Sequence, residues 1–245
     1  VWRDNPIQWT NIQRFLSEDI IPAPLRNTPV NEPYDWSLLA DWLSRIASEQ
    51  ILPGLYNTLV LSQIALVLAG LLSLLLFPLA SRLFMGFKSR AGGKLLLIVM
   101  RSCPEYLLAY ILLQLLGPSM LPAILALALH NGSLIAHLLA HRSENLELRA
   151  DSSHGVNRYS YEVIPRIYGP FLAILFYRWE VIVRETAILG ILGIHTLGFF
   201  VDSAMQEIRF DTALVLILCA AAINLIIDSG SRRLRRKLQL SDRVS

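Results

Sequence analysis

LYNTLVLSQIALVLAGLLSLLLFPLA, residues 55–80, runs through 26 positions without one charged side chain. Coiled as an α-helix it is about 39 Å long at ~1.5 Å per residue. The hydrocarbon core of a bilayer is about 30 Å thick. This stretch is therefore a spanning helix, and the rest of the chain is organised around more of the same kind. Residues 95–116, 121–139 and 164–183 are of similar character, and residues 210–227 form a shorter fifth run that ends in a basic cluster. Over all 245 residues 54% are hydrophobic and 17% charged, with a mean hydropathy of +0.48. A soluble chain of this length needs more polar surface than that to cover a single core. The reading is an all-α, polytopic transmembrane helix bundle with five spanning helices.

Between the fourth and fifth runs lies AILGILGIHTLGFF, residues 187–200. It is apolar but too short to span, and Gly190, Gly193 and Gly198 weaken a continuous helix. A broken or re-entrant piece, buried against other helices, fits it better. Cys103 and Cys219 both fall inside apolar runs and read as small hydrophobes, with no disulfide or zinc spacing.

Loop charge gives the orientation. Residues 81–94 carry Arg82, Lys88, Arg90 and Lys94 and no acid, and the tail carries Arg232, Arg233, Arg235, Arg236 and Lys237. Five crossings put these two segments and residues 139–161 on one side, and residues 1–50 on the other. The positive-inside rule makes the first side cytoplasmic. Three divisions follow: an external segment 1–50, a transmembrane domain 51–230 with a cytoplasmic loop at 141–162, and a basic tail 231–245. The chain begins at Val1 and its first stretch has no signal-peptide pattern. An external N-terminus then implies an earlier helix in a longer parent chain. Within that stretch Trp36, Leu39, Trp42, Leu43 and Ile46 recur at helical spacing. They predict an amphipathic helix that either lies in the outer interface or packs on the external ends of the bundle.

The loop HRSENLELRADSSHGVNRYSY, residues 141–161, is polar and mixed in charge. Its length allows a short helix from Ser143 to Ala150, with Ser143 as N-cap. Charges also sit inside spans. Arg101 and Glu105 are four apart in the second, and Arg178, Glu180, Arg184 and Glu185 lie in the fourth. At least ~2.5–3.5 kcal/mol is lost when such a charge sits at the bilayer centre, so these groups face the bundle interior. They are either an anion pathway or self-neutralising pairs, Arg101–Glu105 and Glu180–Arg184. His130, His137 and His141 share a helix face, which is the rival reading: a metal- or haem-binding membrane protein, with His195 as a further ligand. No ligand motif on a second helix supports it, and no metal ligand is assigned. The chain has no phosphate-cradling GxxxxGK[ST] loop and no hydrolase signature, so the reading is a non-catalytic subunit. The basic tail beside a span is an anchor on lipid head groups rather than a nucleic-acid site.

Several motifs fall in order: RSCPE (101–105), LALALHNGSL (125–134), Leu148-Arg149-Ala150-Asp151-Ser152-Ser153-His154 ahead of Ile164-Pro165, YRWEVIVRE (177–185) and the glycine-rich 187–198. Together, over residues 53–237, they resemble the permease subunits of phosphonate-type ABC importers, which are type I importer permeases. That resemblance implies a membrane permease for a phosphonate-like or other phosphorus oxyanion, working by alternating access. Its coupling loop to an ATPase would be Glu147, Leu148, Arg149, Ala150, Asp151, Ser152, Ser153 and His154. Its translocation pathway or buried ion pairs would comprise Arg101, Glu105, Arg178, Glu180, Arg184, Gly190, Gly193 and Gly198. The implied partners are ABC ATPase subunits, a second permease half (a homodimer or a fusion partner), a periplasmic solute-binding protein and membrane lipid. No cofactor belongs to this chain; ATP and magnesium sit on the ATPase. The location would be the bacterial inner membrane with a cytoplasmic C-terminus. Ser152 replaces a family glycine, Leu146 an acidic position, and Ile194, His195 and Thr196 a glycine cluster. These changes imply a diverged half of a fused two-permease protein.

Overall fold

A computed structural model describes residues 8–26, 35–148 and 155–241, and these are helical and connecting segments without a strand. Two short helices, Trp9–Arg14 and Ala23–Arg26, precede the bundle. Helix α1 then runs over Trp36–Ala80 as one 45-residue element. Asp35 caps it: the Ser37 hydroxyl and amide both donate to Asp35 Oδ1, which holds that carboxyl below its usual value. Ala47–Ile51 forms a wide π-type turn within α1. At about 67 Å the helix is more than twice the depth of a hydrocarbon core. The amphipathic stretch is thus the first quarter of the spanning helix. Two of its residues pack on the bundle, Trp42 and Ile46 lying with Phe200, Ala204, Ala213 and Leu216, whereas Trp36 and Leu43 are exposed.

The second span is not one straight helix. It divides into α2 (Phe87–Ser102) and α3 (Glu105–Leu116), which meet at 87°. Pro104 is the cause. It has no amide hydrogen to donate, and it forces the preceding residue out of the helical region; Cys103 stands at φ −77°, ψ 118°. Helix α4 (Leu121–Glu144) occupies the middle of the bundle, followed by α5 (Ile164–Leu189), α6 (Leu197–Gln206) and α7 (Phe210–Ser241). Among the described residues, three helices are each long and apolar enough to cross a membrane, and two bent pairs bring the number to five if each pair counts as one span. The basic tail continues α7 as helix, through Lys237 to Ser241.

Helices α1 and α4 form the most extensive packing pair. Ser62, Ala65, Ala69 and Ser73 of α1 are fully buried, as are Ala136, Ser133 and Asn131 of α4. Small side chains let two backbones approach in an environment where lipid is as apolar as leucine. Gly132 shows how close: a Cβ there would stand 3.1 Å from the Ala69 carbonyl oxygen. On the other sides, Val67, Leu71, Leu75, Leu95, Val99, Leu115, Leu225 and Ile226 are exposed. Apolar faces on this scale suit hydrocarbon rather than water.

Two adjacent glycines of α2 separate packing from propensity. A Cβ at Gly93 would lie 2.1 Å from the Leu79 carbonyl oxygen, whereas one at Gly92 meets nothing within 4 Å. Gly92→Ala should therefore leave the melting temperature unchanged or raise it slightly, because alanine favours helix by up to ~1 kcal/mol. Gly93→Ala should lower it by several degrees, which thermal unfolding in detergent will show.

Candidate functional site

The interior charges meet on α3, α4 and α5. Arg178 of α5 is 9% exposed. Its Nε donates to Asn131 Oδ1 at 2.6 Å and its Nη2 lies 3.4 Å from Glu185 Oε1. Asn131 turns its amide nitrogen to Glu185 Oε2 at 3.0 Å and to the Leu127 carbonyl. Arg178 and Glu185 are seven residues apart, two turns along the same face of α5. Beside them, His130 Nδ1 lies 3.1 Å from the Cys103 carbonyl oxygen and Nε2 lies 3.9 Å from Glu105 Oε2.

This arrangement corrects one expected pair. Arg101 ends α2 while Glu105 begins α3, so the 87° break falls between them and they share no helix face. Glu105 turns to His130 instead. The Glu180–Arg184 pair is present as an ion pair on α5, with the Arg184 side chain 56% exposed. The histidine face does not gather as a ligand set. Among the described residues, the metal-capable group holding His130 contains Glu105 and Glu185, not His137 or His141. His195 packs on Phe199, and its carbonyl accepts from Asn57 Nδ2. Asn131 takes part in the network without having been expected, and Glu185, expected as one of the interior charges, is its carboxylate. The available signals were Asn131 next to His130 and Glu185 at the end of the YRWEVIVRE run.

The glycine-rich segment is a tight crossing. Helix α5 ends at Leu189, Gly190–Leu192 makes one 3₁₀ turn, and Gly193 has φ +83°, a conformation that favours glycine. A Cβ on Gly190 would lie 2.2 Å from Phe199 N, and one on Gly198 2.0 Å from the Ala187 carbonyl oxygen. These two glycines are where the backbones of α5 and α6 touch. Gly193, with Leu192, Ile194 and His195, lines a cavity shared with Leu113, Pro118, Ser119 and Met120.

At the opposite end, the start of the polar loop is tied down. Helix α4 ends at Glu144, so Ser143 is in its last turn rather than an N-cap. The Ser143 hydroxyl shares a hydrogen bond with Ser81 and donates to Ala140 O. Residues 145–148 are not helical; residues 149–154, with Arg149, Ala150, Asp151, Ser152, Ser153 and His154, lie outside the described residues. Cations gather at the carbonyl end of α4, where the helix dipole favours them, with His141 and Arg142 in its last turn. Arg82 donates to the Glu144 carbonyl and Arg166 to that of Glu147. Arg90 and Lys94 of α2 approach the Glu144 carboxylate at 3.8 and 3.4 Å. Arg158 and Tyr159 close the far side on the Leu83 and Leu74 carbonyls.

Removing one side of the Arg178 network should cost about 3–5 kcal/mol, because the other charge is left buried and unpaired. Arg178→Met alone should destabilise more than Arg178→Met combined with Glu185→Gln, and a double-mutant cycle on thermal unfolding measures the difference.

The family described as binding-protein-dependent transport system inner membrane component matches residues 75–240. The phosphite transport system permease protein of Stutzerimonas stutzeri is 25% identical over 150 residues, 59% of this chain and 54% of that protein. A phosphate-import permease protein of Mycolicibacterium smegmatis is 26% identical over 203 residues, 77% of this chain and 38% of that protein. The chain thus spans about half the length of the first relative and less of the second. Among solved structures, an amino acid ABC transporter superposes with a TM-score of 0.65 at 17% identity, covering 84% of this chain and 100% of that one. The methionine ABC transporter in an inward-facing form gives 0.67 at 14% identity, with 77% and 95% covered. These two likenesses concern the fold.

Proposed function

This chain belongs to the family of binding-protein-dependent transport system inner membrane components, and on that premise we propose that it is a permease of an ATP-driven importer for a phosphorus oxyanion. The observation that carries the proposal is the family match across residues 75–240, together with relatives named for phosphite and phosphate transport. A third, a putative cryptic phosphonate transport system permease protein of Escherichia coli, is 25% identical over 118 residues, 46% of this chain and 97% of that protein. Phosphite, phosphate and phosphonates share a tetrahedral phosphorus oxyanion, which is the solute class proposed here.

In this reading residues 51–230 form the permease domain, residues 1–50 its external segment and residues 231–245 its cytoplasmic tail in a bacterial inner membrane. The loop Glu147–His154 meets an ATPase subunit, and a second permease half and a solute-binding protein complete the assembly. The ties around Glu144 and Glu147 support the loop assignment. They join the ends of α1, α2, α4 and α5 at one level, so a force applied to the loop reaches four helices together. For the interior residues, the burial of Arg178 and its pairing with Glu185 and Asn131 favour a structural ion pair over an anion contact. Gly190 and Gly198 act as a backbone crossing, and the wall at Gly193 remains the better candidate for the pathway.

Three experiments follow. Cells lacking their other phosphorus importers should grow on phosphite or a phosphonate as sole phosphorus source when the full-length protein and its encoded partners are present. Growth and labelled-solute uptake no better than in the empty strain would reject the solute class. Cysteines placed at Ser152 or His154 should cross-link to the co-encoded ATPase. Arg166→Ala, by freeing the loop from α5, should reduce solute-stimulated ATP hydrolysis several-fold without reducing the amount of assembled complex.

A further inference from the structure

Three Lewis-basic side chains converge beside Arg178, and its ion pair with Glu185 does not account for the other two. Glu105 at the start of α3, His130 in α4 and Glu185 near the end of α5 place one ligand atom each within 4.8 Å of the others. They belong to three helices, and all are partly buried. Arg178 supplies one positive charge against two carboxylates, and it contacts Asn131 and Glu185. One carboxylate, Glu105, is therefore left facing an imidazole.

The imidazole is oriented from behind. Its Nδ1 lies 3.1 Å from the Cys103 carbonyl oxygen. A carbonyl only accepts, so Nδ1 is the nitrogen that carries hydrogen, and the lone pair of the neutral ring is on Nε2. Nε2 is the atom that faces Glu105 at 3.9 Å. Glu185 is likewise held, through Oε2 by Asn131 at 3.0 Å and through Oε1 by Arg178 at 3.4 Å. A histidine donating its other nitrogen to a backbone carbonyl, and a carboxylate fixed by outer hydrogen bonds, is how metal ligands are oriented in proteins.

We propose that Glu105, His130 and Glu185 bind one divalent transition-metal ion of the zinc or manganese class, which ties α3 to α4 and α5. One imidazole nitrogen with two carboxylate oxygens suits those ions, whereas calcium and magnesium take oxygen sets. With metal–ligand bonds of about 2.0–2.2 Å, ligands on a common ion stand roughly 3.2–4.3 Å apart. The 3.9 Å separation of His130 Nε2 and Glu105 Oε2 is already in that range. The 4.8 Å limit closes by a side-chain adjustment of less than about 1 Å. The ion has a mechanical role: α3 turns away from α2 at 87°, so it takes no direction from helix continuity. The site does not depend on which solute the protein carries.

The test uses the full-length protein, purified in detergent on a tag without histidine, stripped with a chelator and then given zinc or manganese alone. Elemental analysis after gel filtration should find about one ion per chain, and the ion should raise the melting temperature by several degrees. Glu105→Gln and His130→Gln should each weaken binding at least tenfold and remove that shift, while His137→Gln and His141→Gln should leave both intact. If His130→Gln does not fold, Glu105→Gln, at the edge of the group, decides. The proposal is overturned if the stripped protein retains neither ion, or if both substitutions leave binding unchanged. A stability that depends on pH through His130, without metal binding, would overturn it in favour of a shared proton.

Discussion

A guanidinium inside an apolar bundle has to be met before the helices around it can close, and Arg178 is met twice. Asn131 comes from α4 and Glu185 from two turns further along α5. Asn131 also reaches Glu185, so the three groups form a closed triangle of contacts. The cost of desolvating the pair is offset only while all three are in register. That requirement fixes the rotation of α4 against α5 more tightly than leucine packing does. The small residues that bring α1 onto α4 then have one defined face to meet.

The broad architecture was legible because a bilayer imposes a simple code. Length and lack of charge mark the long helices, and the segments between them carry the basic residues. The glycine-rich break between α5 and α6 was legible for a local reason, since glycine at 190, 193 and 198 disfavours a continuous helix. The break at Pro104 was hidden by averaging. Residues 95–116 are apolar as a window, and hydropathy does not register that one proline redirects the chain. Its residue-level signal was present in the Cys103–Pro104 step.

The polar triangle was only half visible. Arg178 and the Glu180–Arg184 spacing can be read along one helix, but Asn131 lies 47 residues before Arg178, and Glu105 lies 80 residues before Glu185. Nothing in a linear pattern brings them together. The short helix placed at Ser143 failed for a related reason. A serine before acidic residues reads as a start signal, yet Ser143 bonds Ser81 across the bundle, and α4 carries on past it.

The backbone contacts at Gly93, Gly132, Gly190 and Gly198 also set how this protein is free to change. Leucine, isoleucine and valine on the lipid-facing sides can exchange with little consequence, since any apolar shape dissolves in acyl chains. At the four crossings even one methyl group has no room or little room. Divergence is therefore channelled outward, toward the lipid, while the inner seams stay closed to it. A fold of this kind can keep its superposition on distant transporters at 14–17% identity, because its shape is held by absent atoms as much as by present ones.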